Sequence, residues 1–177
     1  MMRKVEVVPY NPVWRGTFEE EATHVAAVLG DNVVAVHHIG STAIPTIHAK
    51  PIIDMLVEVR DITKVDECSL VMHALGYESM GEFGMAGRRF FRKENDTGIR
   101  THHVHTFAVD SAEVERHLAF RDYLRVHADD AQRYSKLKQD LAQQYQHDIE
   151  GYRDGKDAFI KDMQEKAVAW QRSQRKM

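Results

Sequence analysis

The apolar pattern of this chain changes period along its length, and that change constrains the fold more than any single motif. Short β-branched and alternating runs, the signature of strands, concentrate before residue 110, whereas the pattern from Ser111 onward is helical. Tyr134, Leu137, Leu141 and Tyr145 recur on one helical stripe, and Phe159, Ile160, Met163, Ala167 and Trp170 on another. Strands first and helices last predict an α+β architecture rather than a repeating βαβ unit. At 177 residues one domain is expected, strand-rich over 1–110 and helical over 111–172. A chain of that size buries roughly two-thirds of its unfolded surface.

Val5 to Val8 reads as a short strand ended by Pro9 and Pro12. Phe18, Ala22, Val25 and Leu29 then follow helical spacing, with Gly30 as the stop. Val33 to Ile39 is a β-branched strand that leads into Gly40-Ser41, and Pro51 to Val59 is a second strand. In the latter, Ile53, Met55, Val57 and Val59 share an apolar face, which leaves Asp54 and Glu58 on the other. Asp61 is expected to cap a helix running to about Leu75, with Gly76 as its stop. Tyr77 to Arg100 suggests a hairpin containing a strand from Arg88 to Lys93, and Thr101 to Ala108 one more strand.

Composition narrows the function. A net charge of -3, from 24 basic and 27 acidic residues, gives no bulk electrostatic case for a nucleic acid or an anionic membrane. The single cysteine, Cys68, excludes an internal disulfide framework and a cysteine-rich zinc site, and it suits a reducing cytoplasm. Met1 to Tyr10 is interrupted by Glu6 and Pro9 and fits neither a signal peptide nor a membrane span, so a cytoplasmic protein is expected.

Chemistry is concentrated in Gly40-Ser41 and in Lys50-Pro51-Ile52-Ile53-Asp54. A Gly-Ser turn after a strand offers backbone N–H groups and a hydroxyl to phosphate oxygens. Lys50-Pro51 fixes an extended lead-in that places a cation near Asp54. An unpaired carboxylate among Ile52, Ile53, Met55 and Leu56 is costly, so Asp54 needs a partner, either a basic side chain or a divalent cation such as Mg or Mn. Glu58 lies about 13 Å further along the strand, too far to share that ion. His103 and His105, two residues apart, point the same way and could grip one metal or one phosphate. Arg88, Phe90 and Arg92 face one side of their strand and Arg89, Phe91 and Lys93 the other, with arginine forks suited to phosphate. Arg121, Arg125, Arg133, Lys136 and Lys138 are expected mostly at the surface or in salt bridges, with one or two reaching the cleft. Tyr152 and Lys156 share a helical face that could close over a ligand.

The segment His38 to Pro45, followed by Ala49 to Asp54, resembles the signature of the GrpB (UPF0157-like) family, as do Tyr10-Asn11-Pro12-Trp14, Phe120 to Arg125, Tyr152, Lys156 and Phe159. The resemblance implies a nucleotidyltransferase-like mixed sheet flanked by helices. In that superfamily Gly-Ser binds a nucleoside triphosphate, paired carboxylates two residues apart hold two metals, and a third carboxylate comes from a neighbouring strand. Gly40, Ser41 and Asp54 match, but Leu56 replaces the second carboxylate and His103 and His105 stand where the third would be sought. Imidazole binds magnesium poorly and prefers transition metals.

The expected ligand is therefore a nucleotide or another phosphorylated small molecule, held by Gly40, Ser41, Lys50 and Arg92. Asp54, His103 and His105 are the candidate metal ligands and, with Lys50, the candidate catalytic groups. A non-catalytic binding or chaperone-like partner module is the alternative, and a hydrolase preferring manganese or zinc a third. The helical stripes serve the core or, in a homo-oligomer, a self-interface.

Overall fold

The structure, a computed structural model, describes residues 4–175. Its strands are β1 (Val33–Ile39), β2 (Ile53–Val59), β3 (Tyr77–Ser79), β4 (Arg89–Glu94) and β5 (Arg100–Ala108). Its helices are α1 (Val13–Leu29), α2 (Ser69–Ala74), α3 (Ala112–Val126), α4 (Ala128–Gln144) and α5 (Ile149–Arg175). The strands form one mixed sheet of order β1-β2-β5-β4-β3, in which only the central β2–β5 pair is parallel. This is the expected α+β architecture, a mixed sheet flanked by helices with a helical C-terminal region.

The alternation of β2 assigns its two faces. Ile53, Met55, Val57 and Val59 are buried against Trp14, Val25 and Leu29 of α1 and Met72 of α2, together with Phe91 and Val104 of the neighbouring strands. On the opposite face Leu56 packs with Ile39, Phe107 and Val114 of α3. The C-terminal stripes build a separate cluster in which Tyr134, Met163 and Ala167 meet Ile44 and Ile47 of the loop between β1 and β2. Helix α5 comes close to α4 because Gly155 has no side chain: a Cβ there would lie 2.5 Å from Leu141 Cδ2.

Several local expectations are corrected. Val5 to Val8 makes no strand, only an isolated antiparallel bridge between Val8 and Ala49, and the Val5 N–H bonds the Gln146 carbonyl instead. Burial of Val5 beside Leu141 and Tyr152 holds the segment against the helices. Asp61 does cap its element, accepting from the Thr63 N–H, but Ile62–Cys68 is 3₁₀ and only Ser69–Ala74 is α-helical. Ile62, Thr63 and Val65 are β-branched and weaken a continuous α-helix there. No helix among the described residues is long and apolar enough to cross a membrane.

Candidate functional site

The register of the parallel pair builds the centre of the site. Asp54 on β2 lies opposite His103 on β5, and Leu56 opposite His105, so both imidazoles share the Asp54 face of the sheet. His103 Nδ1 and His105 Nε2 each stand 3.2 Å from Asp54 Oδ1. The Arg88 guanidinium, 3.4 Å from His105 Nδ1, can only donate, so that nitrogen accepts and Nε2–H donates to the carboxylate. Burial opposes ionisation of Asp54. The hydrogen bonds from His103 and His105 outweigh it and hold the carboxyl well below the usual carboxylate range.

Gly40 adopts φ 74° and ψ -174°, a region open essentially to glycine alone. A Cβ there would also lie 2.9 Å from Asp54 Oδ2. The glycine thus lets the turn pass directly over the carboxylate. In the next turn Thr42 is buried, and its hydroxyl donates to the Ile52 carbonyl at 3.2 Å. That donation leaves the Thr42 oxygen to accept from His38 Nε2 at 2.9 Å. Burial first, then Arg125 and Arg121, pushes His38 down to about 4 despite Asp54, which keeps its ring neutral.

The C-terminal helices hold this loop by its backbone. Arg121 donates to the His38 carbonyl, Arg125 to that of Ala43 and Gln132 to that of Thr46, while Ser135 Oγ accepts from the His48 N–H. Lys138, 1% exposed, donates to the His48 carbonyl. The expectation of surface positions or salt bridges holds for exposed Arg125, for Arg133 and Lys136, paired with Asp130 and Asp140, and for Arg121, paired with Asp122, while Lys138 is the one that reaches the cleft.

Between loop, sheet and helices lies a cavity of about 230 Å³. Ser41, Lys50, Asp54 and His103 line it from the strand region, and Lys138, Tyr152, Arg153 and Lys156 from α4 and α5. Four basic side chains therefore surround one carboxylate. Burial lowers the Lys50 ammonium, helped by Arg153, and Asp54 only partly offsets this. Burial, followed by the charges of Lys50 and Arg153, brings Lys156 down to about 8. Lys138 falls to about 6 through burial and the charge of Lys156. The Tyr152 hydroxyl is buried beside these groups with no hydrogen-bond partner among the described residues.

Sequence reasoning named Gly40, Ser41, Lys50, Asp54 and His103, and the structure brings these together. His105 joins through its bond to Asp54 but does not line the cavity. Arg92 turns away from it: its guanidinium pairs with Glu78 and lies over the Phe83 ring. Glu58, expected at the surface, bonds His37 at 2.6 Å. Arg153 was missed, because a polar position on a long helix carries no signal of what it faces.

Asp54, His103 and His105 offer ligand atoms within 4.8 Å of one another. One carboxylate and two imidazoles do not suit magnesium, which favours oxygen ligands; they suit a borderline transition ion. The Arg88 donor facing His105 Nδ1 opposes the tautomer that would free Nε2 for such an ion.

Fold and site together define an α+β protein with a cation-lined cavity above an aspartate–imidazole cluster. The sequence matches the family described as GrpB protein over residues 4–166, and the chain belongs to that family. UPF0157 protein YqkA of Bacillus subtilis is 48% identical over 170 residues, covering 96% of this chain and 49% of YqkA. The chain thus spans about half the length of that relative. Glutamate-rich protein GrpB of Alkalihalophilus pseudofirmus is 30% identical, covering 89% of this chain and 92% of its own length. The crystal structure of conserved protein GrpB from Enterococcus faecalis superposes with a TM-score of 0.89 at 47% identity, covering 93% of this chain and 98% of that one. Cid1 poly(U) polymerase with MgGTP bound is a distant likeness, with a TM-score of 0.49 at 11% identity over 75% of this chain and 45% of that one, too remote to carry a functional reading.

Proposed function

We propose that the cavity binds the phosphate groups of a nucleotide or another phosphorylated small molecule. The observation that carries this reading is the convergence of Lys50, Lys138, Arg153 and Lys156 on a space whose one carboxylate is Asp54. Ammonium groups held low by burial and by one another gain from an anion that compensates both. The orphaned Tyr152 hydroxyl is a further donor beside them. In the GrpB resemblance Gly40 and Ser41 take the phosphates, and Lys50 with Lys156 and Arg153 would offset their charge. A manganese or zinc ion would be held by Asp54 with His103, and when bound it would neutralise phosphate oxygens.

Transfer chemistry in the two-metal manner is disfavoured by Leu56. It occupies the face of Asp54 two residues along β2, fully buried with Ile39, Phe107 and Val114. Two cations about 3.5–4 Å apart need several anionic ligands, and this centre has one. The structure therefore favours a ligand-binding module, with one-metal nucleotidyl transfer as the second reading, supported by the Asp54–His103–His105 cluster.

A thermal-shift screen of wild type and Asp54→Ala against nucleoside mono-, di- and triphosphates, with magnesium, manganese or no divalent ion, tests both. A ligand at about 100 times its dissociation constant stabilises by about 2.7 kcal/mol. Stabilisation by phosphorylated ligands is expected, and its absence with every nucleotide overturns the reading. Manganese-dependent pyrophosphate release that is lost in Asp54→Ala selects transfer over simple binding.

A further inference from the structure

We infer that the cavity reads a linear triphosphate chain and not the group attached to it, so that free inorganic triphosphate is as good a ligand as a nucleoside triphosphate. This rests on the phosphate-site reading above and specifies its substrate class.

Three observations carry it. The first is size. At about 230 Å³ the space is below the range of roughly 300–1,000 Å³ typical of pockets that enclose a whole small-molecule ligand. A phosphate chain fits, and a nucleoside attached to it stays outside.

The second is the lack, among the described residues, of a surface for a base. Nucleobases are held by stacking on open ring faces and by hydrogen bonds to their edges. Tyr152 is fully buried, with the ammonium groups of Lys156 and Lys50 4.6 and 5.7 Å from its ring centroid. The His103 ring packs against Phe90 at 5.3 Å while its Nδ1 is bonded to Asp54. Phe83, half-exposed on the same side of the sheet, does not line the cavity, and it stacks on Phe90 with Arg92 over its ring. The buried Thr42 hydroxyl is also committed, to Ile52 and His38.

The third is charge. Lys50 reaches the space from β2's lead-in and Arg153 and Lys156 from α5, more cations than one phosphate group can match. Ammonium and guanidinium groups placed along a cavity recognise a chain of phosphates through charge-assisted hydrogen bonds that are blind to its substituent.

Isothermal titration of the full chain with sodium tripolyphosphate, ATP, GTP, CTP, UTP and AMP tests this, without divalent ions and again at equal free manganese. Tripolyphosphate and the four nucleoside triphosphates are expected to bind within about fivefold of one another, less than a stacked base contributes, with AMP the weakest. Arg153 is exposed, so Arg153→Ala should fold and weaken all five triphosphates by a common factor of about tenfold. A nucleoside triphosphate binding more than about fivefold tighter than tripolyphosphate overturns the inference and leaves the phosphate site standing. AMP binding as tightly as ATP, or Arg153→Ala leaving every affinity unchanged, also overturns it. Failure of every triphosphate to bind overturns the phosphate-site reading itself.

Discussion

The two faces of the sheet are built from the same strands and serve different ends. On the α1 and α2 side, every β2 residue that faces the helices is apolar and buried, and helix packing closes the layer completely. On the other side the same strand presents Asp54, Leu56 and Glu58. Only Leu56 sits in an apolar cluster, whereas Asp54 bonds two imidazoles beneath a cavity. A sheet can therefore concentrate stability on one face and leave the other free to carry a charged site, because alternation keeps the two sets of side chains apart.

Truncation on the closed face should break stability alone. Met72→Ala, at a fully buried position of α2, is expected to cost about 2–5 kcal/mol by leaving a cavity in a packed layer. Urea unfolding reads that loss, while tripolyphosphate affinity of the folded protein stays at the wild-type value. A fall in affinity would show that the faces are coupled.

Substitution at the turn should injure both properties. Gly40→Ala places a Cβ 2.9 Å from Asp54 Oδ2 in a backbone region that disfavours any side chain. A loss of about 1–3 kcal/mol is expected, together with weaker tripolyphosphate binding by calorimetry. Unchanged binding would detach the turn from the site.

A change of pH sharpens the contrast further. Lys138 titrates near 6 in the folded protein against 10.5 for an ordinary lysine. Between those values the unfolded chain holds the extra proton, so this group makes stability rise with pH across that window, by at most about 1.4 kcal/mol per unit. Wild type should gain more stability between pH 7 and pH 9 than Lys138→Met in urea unfolding. Equal gains would place the Lys138 ammonium in an ordinary solvated setting.

How much of this was legible in the sequence follows from the range of each interaction. The Asp54 face and the shared direction of His103 and His105 are consequences of a two-residue period, which acts within one strand. The expected Val5–Val8 strand failed because its propensity was overruled by partners far along the chain, Leu141 and Tyr152. Arg92 was placed on the correct side of its strand, yet its long side chain found Glu78, a cross-strand neighbour that no local pattern foretells.

The sequence by itself determined the α+β order of elements, the alternation that isolates Asp54, the glycine over it and the resemblance to the GrpB family. Only the tertiary structure decided that Lys138, Arg153 and Lys156 converge on that carboxylate and that Arg121 and Arg125 hold the loop from behind. A helical stripe specifies which side of a helix is buried, but not which part of the sheet it crosses. That choice is made by long-range packing, such as the approach of α5 to Leu141 at Gly155, and by hydrogen bonds that join residues more than 80 positions apart.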